Sequence, residues 1–325
     1  MKEFAGRDNV REVLASGKTF LTFAGVETFL LFQQEFPLRE FSAFEVFERD
    51  DAWQALQDEL LRPVADAAAD NGCGLMMDCL VWRASEDYVR KLGYDRGAMA
   101  TINRKAVERT RAFARAWQAS SEAASRAPVI LAADLGPRGD GYARGEDDAD
   151  RAYEYHRAQV QVLADVDVDL VAAQTITSVS EAVGIVRAAR ESQVPLTMSP
   201  TVETDGRLPD GAPLGAFIEA VDVATDGYPL FYMVNCAHPS HLEPSLRRAA
   251  EQGERWLERF RGFRSNASAK SHEELDNSTS LDRGDPVALA SAMGKLARRY
   301  DLSVVGGCCG TDAEHLRAIA QACAR

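Results

Sequence analysis

Two adjacent cysteines lie among glycines near the end of the chain, in Gly306-Gly307-Cys308-Cys309-Gly310-Thr311. A third cysteine lies upstream, in Asn235-Cys236-Ala237-His238-Pro239. Three thiolates from two separate segments can fill three corners of a zinc tetrahedron and leave the fourth open to a substrate, which is the mark of a catalytic rather than a structural site. Other uses compete. Free cysteine is among the most buried residue types, so Cys308 and Cys309 also suit a packed core. A disulfide between neighbouring residues is strained by the short reach of the backbone. A structural zinc takes four protein ligands, often from Cys-x-x-Cys knuckles, and the chain has none. The three glycines in the five residues 306–310 favour a place where backbone and substrate approach closely.

The rest of the composition narrows the setting. A chain of 325 residues can form two ordinary domains or one large α/β barrel. With 46% hydrophobic and 27% charged residues it reads as an ordinary globular protein. The net charge of −13 and the lack of a lysine- or arginine-rich run argue against nucleic acid or an anionic membrane surface as partner. No apolar run reaches the roughly 18–20 residues of a membrane span, and the first twenty residues lack a signal-peptide core. The expected compartment is the cytoplasm, where six cysteines stay reduced. Cys73, Cys79 and Cys323 read as small packing residues. The oligomeric state is left open, a homo-oligomer included.

Short apolar runs alternate with longer amphipathic stretches. The runs are 20–24, 75–80, 129–134, 170–174, 195–199, 230–236, a weaker 260–266, and 302–308. Helical stretches between them include 48–71, 102–125, 149–165, 180–192 and 286–300. Ser178-Val179-Ser180-Glu181 matches a capping box, and Asp285-Pro286 is a capping residue followed by a first-turn proline. Eight strand–helix units in about 300 residues predict a single (β/α)8 TIM barrel over residues 1–325. A doubly wound sheet competes, but no Gly-x-Gly-x-x-Gly follows the first strand.

Active sites of such barrels sit at the C-terminal ends of the strands. Cys236 ends the sixth run and Cys308-Cys309 end the eighth, so all three fall on that face. Glu27, Asp78, Asp134, Gln174 and Asn266 fall on or near the same rim.

On these residues the chain resembles the zinc-dependent homocysteine S-methyltransferase family, which includes the betaine- and S-methylmethionine-using enzymes. The resemblance rests on Asn235-Cys236-Ala237-His238-Pro239, Asn266-Ala267-Ser268 and the Gly306–Thr311 segment. Gly136–Tyr142 and Glu181-Ala182 support it, and it spans nearly the whole chain. It implies a (β/α)8 barrel with Zn2+ held by Cys236, Cys308 and Cys309, and substrate contacts at Gly25, Glu27, Thr28, Gln174, Asn235 and Asn266. Two departures stand out. The family's first strand ends in Asp-Gly-Gly or Asp-Gly-Ala; here Phe23 takes the aspartate's place, and only Gly25 and Thr28 keep the pattern. The glutamate that many members carry after the fourth strand is Gln174. An ammonium thus loses two charge-assisted partners. Glu27 either compensates or is a solvated rim carboxylate.

Three thiolates make zinc electron-rich, and a thiol entering the open position is deprotonated. Its sulfur then attacks a methyl group that the protein holds in line. The expected reaction moves a methyl group from a small donor (betaine, S-methylmethionine or a similar sulfonium) to homocysteine, giving methionine, with no protein nucleophile. A cationic donor favours aromatic walls, for which Phe23, Phe36, Trp82 and Tyr94 are candidates, and each is equally at home as a core residue or loop anchor. His238 reads as a ligand-orienting or structural residue, His272 as a solvated loop residue or donor contact. Alternatives are a barrel acting on another thiol or selenol, and a zinc- or thiol-binding protein without transfer activity. A zinc hydrolase or lyase needs histidine or carboxylate ligands, and the chain has five histidines with no His-x-His or His-Glu-x-x-His.

Overall fold

A computed structural model describes residues 4–325. Eight strands lie where the apolar runs predict: β1 (Phe20–Leu21), β2 (Gly74–Asp78), β3 (Val129–Leu135), β4 (Leu170–Ile176), β5 (Leu196–Pro200), β6 (Tyr232–Ala237), β7 (Phe260–Ser265) and β8 (Val304–Gly307). All neighbours pair in parallel, and β8 returns to β1 to close the barrel. The predicted helices appear with shifted ends: Ala98–Gln118 for 102–125, Ala149–Asp165 as expected, Val179–Glu191 and Pro286–Arg299. The stretch expected at 48–71 runs from Asp50 to Asp70 through a π-turn at Gln57–Leu61. Asp285 caps its helix as predicted, accepting from the Val287 and Ala288 amides. Half of the other predicted cap forms. The Ser178 hydroxyl accepts from the Glu181 amide, while the Glu181 carboxylate turns to the Arg138 amide and His156.

Two apolar layers result from the two-residue period of the strands. Leu75, Met77, Leu131, Ala133, Val171, Val234 and Phe263 face outward onto the helices. Met76, Ile130, Ala132, Leu170, Ala172, Met233 and Val304 fill the barrel, and the N-terminal segment closes its bottom with Ala5, Val10 and Leu14. Asp169 ties that segment down by accepting from the Gly6 and Leu131 amides at 2.9 and 2.8 Å.

The same alternation decides what lines the top. Continuing the inward series by one step beyond Met76, Ala132, Ala172, Met233 and Gly262 brings in Asp78, Asp134, Gln174, Asn235 and Arg264. The barrel interior therefore changes from apolar to polar at its last layer. All five of those residues border one cavity of about 600 Å³ at the C-terminal mouth. Among the described residues no helix is long and apolar enough to cross a membrane.

Candidate metal centre

Strict alternation would turn Cys236 outward with Tyr232 and Val234. The backbone prevents this. The β6–β7 register shifts between Asn235 and Ala237, and Cys236 itself takes a left-handed φ of 56°. Such an irregularity re-aims a side chain, at a backbone cost of roughly 1–2 kcal/mol for a non-glycine residue. Donors to the Cys236 carbonyl hold it there: Asn266 Nδ2 at 3.1 Å, His272 Nε2 at 2.7 Å and Thr201 Oγ1 at 3.5 Å.

The rim repeats this device. Thr175, within the register shift at the end of β4, has φ 62°, and Asn235 spans it. Asn235 Oδ1 accepts from the Thr175 amide at 2.8 Å, and Nδ2 donates to Thr175 Oγ1 at 2.8 Å. Leu80, beyond β2, has φ 56°, and the two amides that follow it, of Val81 and Trp82, donate to Asp134. Each left-handed turn is thus clamped by a polar side chain from another strand or loop.

Cys308 and Cys309 follow β8 directly. Their loop is seated on the first βα turn. The Gly25 amide donates to Thr311, Thr28 Oγ1 donates to the Gly25 carbonyl at 2.9 Å, and the Gly310 amide donates to Thr28 Oγ1 at 3.1 Å. A Cβ on Gly25 would lie 2.4 Å from the Cys308 carbonyl oxygen, so only glycine lets these segments meet.

The three sulfurs of Cys236, Cys308 and Cys309 lie within 4.8 Å of one another. Tetrahedral zinc with Zn–S bonds of about 2.3 Å needs sulfur–sulfur edges of about 3.8 Å. The donor set therefore fits Zn2+ in number and kind, and the clustering brings the sulfurs within reach of one ion. In this structure Cys236 and Cys308 form a disulfide, with their Cα atoms 5.4 Å apart. The same two sulfurs are available as metal ligands in the reduced state. Beside them the Asn266 Oδ1 is buried and has no hydrogen-bond partner, an open acceptor in a residue that lines the cavity. Burial pushes the Cys309 thiol up to about 11, with the Glu27 charge adding to the effect and a hydrogen bond from Tyr142 opposing it. A bound cation would reverse that shift, since a coordinating thiol gives up its proton.

The polar layer beneath is organised around one buried ion pair. Arg264 binds Asp78 through two contacts, of 2.8 and 3.1 Å, and reaches the Gly307 carbonyl at 3.3 Å. Gln174 Nε2 faces Asp78 at 3.4 Å. Burial, then the neighbouring Asp78 charge, raises Asp134 to about 7. Glu27 also borders the cavity, and among the described residues it forms no ion pair. Burial raises its pKa, opposed by its own backbone amide and by Arg264.

Several expectations change. Phe23 is fully buried in the outer core, and Phe36 and Tyr94 also pack away from the cavity; of the four aromatic candidates only Trp82 borders it. The Arg83 guanidinium already covers Trp82 at 4.0 Å and Tyr88 at 4.4 Å. The exposed Phe32 and Phe41 stand at the mouth instead. His272 is buried between Cys236 and Glu203, not solvated. His238 is structural: it caps the helix Pro239–Gln252 through Ser240. Asn235 spends its amide within the protein. Cys73, Cys79 and Cys323 are buried and free, as expected. Arg264 and Tyr142 were not picked out as site residues. An arginine at an inward position of an otherwise apolar strand run was the available signal for Arg264.

Comparison with known proteins bears on the whole arrangement. The family model for homocysteine S-methyltransferase matches residues 39–323. Homocysteine S-methyltransferase YbgG of Bacillus subtilis is 26% identical over 225 residues, a match covering 63% of this chain and 64% of that enzyme's length. The metallated form of homocysteine methyltransferase MmuM from Escherichia coli superposes with a TM-score of 0.72 at 18% identity, covering 94% of this chain and 97% of that one. Its oxidized form gives 0.70 at 19% identity, covering 93% and 94%. At these identities the structural likeness speaks for the fold.

Proposed function

Because the chain belongs to the homocysteine S-methyltransferase family, we propose that it is a zinc-dependent enzyme that moves a methyl group from a small donor to homocysteine, giving methionine, and that residues 1–325 act as one domain. The observation carrying this reading is the meeting of three cysteine sulfurs, from the ends of β6 and β8, at the floor of a cavity large enough for two small molecules. Cys236, Cys308 and Cys309 would hold Zn2+. When bound, the ion supplies a position at which a thiol is deprotonated yet remains nucleophilic.

The chain's own groups do the rest. Glu27 receives the ammonium of the amino-acid thiol: it is a cavity carboxylate that forms no ion pair among the described residues, and a cation beside it favours its charged form. The Asn266 Oδ1 is a second acceptor for an N–H group. Gly25 and Thr28 fix the loop that carries Cys308 and Cys309. Gln174 and Asn235 shape the far wall, Asn235 by holding Thr175. The methyl donor enters from the mouth, where Asp140 and Asp276, which form no ion pair among the described residues, favour a cation over an anion. A site that works through free thiolates suits the reducing cytoplasm.

Metal content and zinc-edge X-ray absorption test this reading. Protein purified under reducing conditions should hold one zinc with three sulfur neighbours, rising to four with homocysteine. Full zinc content in Cys308→Ala would overturn the ligand set. An unchanged KM for homocysteine in Glu27→Gln would remove the ammonium role.

A further inference from the structure

Arg83 is a buried cation, 8% exposed, that borders the cavity without a counter-charge. Of the two arginines among the described residues that line it, Arg264 is paired with Asp78, whereas Arg83 forms no ion pair. Arg83 Nη1 donates to the carbonyls of Pro137 at 2.9 Å and Gly139 at 2.8 Å. Its Nε and Nη2 have no hydrogen-bond partner among the described residues, and neither is sealed from solvent. One edge of the guanidinium is therefore tied to the loop after β3, and the other is free.

That free edge stands on a rigid platform. The guanidinium lies over the rings of Trp82 at 4.0 Å and Tyr88 at 4.4 Å. Trp82 is held in turn: its indole N–H donates to the Gln174 carbonyl at 3.2 Å, its amide donates to Asp134 at 3.2 Å, and its carbonyl accepts from the Gly136 amide at 3.0 Å. A Cβ on Gly136 would lie 2.5 Å from the Trp82 carbonyl oxygen, so the two loops are closely packed.

Two neutral carbonyls do not balance a buried positive charge, which is stable when it is paired. Nε and Nη2 form the planar two-donor fork that matches the two oxygens of a carboxylate. Both substrates of the proposed reaction bring such a group, homocysteine as an α-amino acid and betaine or S-methylmethionine as donor. The cavity offers a carboxylate little else, because Glu27, Asp78, Asp134, Asp140 and Asp276 are acids and Arg264 is committed to Asp78.

We propose that Arg83 is the carboxylate anchor of this cavity, its Nε and Nη2 donating to the carboxylate of a substrate. The inference deepens the zinc methyltransferase reading above and rests on it.

Isothermal titration of reduced, zinc-loaded protein with matched ligand pairs tests it. Homocysteine is compared with 3-aminopropane-1-thiol, which lacks only the carboxylate. Glycine betaine is compared with tetramethylammonium, and S-methylmethionine with (3-aminopropyl)dimethylsulfonium. In Arg83→Gln at least one of the three acids should lose about 10–100-fold in affinity, the equivalent of charge-assisted hydrogen bonds, while its carboxylate-free partner is unchanged. Such a loss in the thiol pair assigns the anchor to homocysteine, and in a donor pair to the donor. Equal loss by both members of every pair makes Arg83 a support for the loop alone and overturns the inference, as does no loss in any pair. The wild type needs no variant to fold: one acid at least should bind it about tenfold or more tightly than its partner, and three pairs that do not differ also overturn the inference. A wild type that holds no zinc, or holds zinc and fails to bind homocysteine, overturns the proposed function, and this inference with it.

Discussion

Arg264→Leu removes the cation at the centre of the polar layer, and its cost follows from the geometry. Arg264 and Asp78 have side chains 8% and 5% exposed and share two hydrogen bonds, of 2.8 and 3.1 Å. Two unit charges about 4 Å apart attract by about 4 kcal/mol at an effective dielectric near 20. Leaving one member of such a pair buried alone costs about 3–5 kcal/mol. Here the abandoned carboxylate also faces the acids Asp134 and Glu27, which border the same cavity. The expected loss for Arg264→Leu is therefore about 4 kcal/mol, a large share of a typical stability of about 5–15 kcal/mol. Asp78→Asn/Arg264→Leu removes both charges, and should recover about half of the loss. Equilibrium urea unfolding at neutral pH, followed by circular dichroism and tryptophan fluorescence, reads these differences as shifts of the midpoint at constant slope. A single variant within about 1 kcal/mol of wild type would refute the claim that the pair is a desolvated, mutually dependent unit. So would single and double variants that add without coupling.

Gly25→Ala should destabilise the protein by about 2–3 kcal/mol, because the obstacle at 2.4 Å is backbone oxygen and cannot rotate away. It should also weaken zinc binding by displacing the Cys308 loop; thermal denaturation and chelator competition read the two effects. His272→Ala leaves the left-handed Cys236 turn held by Asn266 and Thr201, and zinc affinity should fall about 10–100-fold in chelator competition. Asp169, far below the cavity, gives a pH prediction. Burial raises it from 3.8 to about 6, against two amide donors. Its folded pKa lies above its unfolded one, so the folded state binds the extra proton. Its contribution is fully present below about pH 4 and is lost as pH rises through 6, about 3 kcal/mol in all. Asp169→Asn should flatten the stability profile between pH 4 and 6, as measured by urea titration; an unchanged slope there would refute the assignment.

The eight strands could be read from the sequence because both faces of a barrel strand are buried, so each strand is a continuous apolar run. The weakest run, 260–266, is weak for a structural reason. Arg264 interrupts it, and that arginine points into the barrel to meet Asp78 in β2, 186 residues away. Charges within otherwise apolar strands, Asp78, Asp134, Arg261 and Arg264, hinted at a partnership, but nothing local says which charge meets which. The cysteine cluster was accessible through the rule that strand C-termini share one face. Tyr142 was not, and for His272 the sequence suggests only a solvated loop residue or donor contact. Tyr142 sits in a polar loop and His272 opens a short helix in polar sequence, so both read as solvated; they cover each other, and His272 is held by the Cys236 carbonyl. Phe23 misled for the opposite reason: at a strand end it reads as a cavity wall, whereas the alternation places it outward in the core.

The rim shows how loop residues gain the precision that a metal site needs. Cys236, Thr175 and Leu80 all sit in left-handed turns that no glycine relieves. Such conformations persist only where surrounding contacts over-determine them. The contacts come from outside each turn: Asn266 and His272 for Cys236, Asn235 for Thr175, Asp134 for Leu80. Strand ends are therefore tied laterally around the barrel, and the position of one turn depends on its neighbours. Asn235 links this scheme to the metal centre, since it precedes Cys236 in β6 while its side chain holds the end of β4 and accepts from Ser199 in β5. Loss of that amide would release Thr175 and the strand end that carries Cys236 together. Asparagine at position 235 thus acts on the placement of the proposed ligand Cys236 through the backbone, and this accounts for the neighbouring Asn235-Cys236 pair as a structural unit.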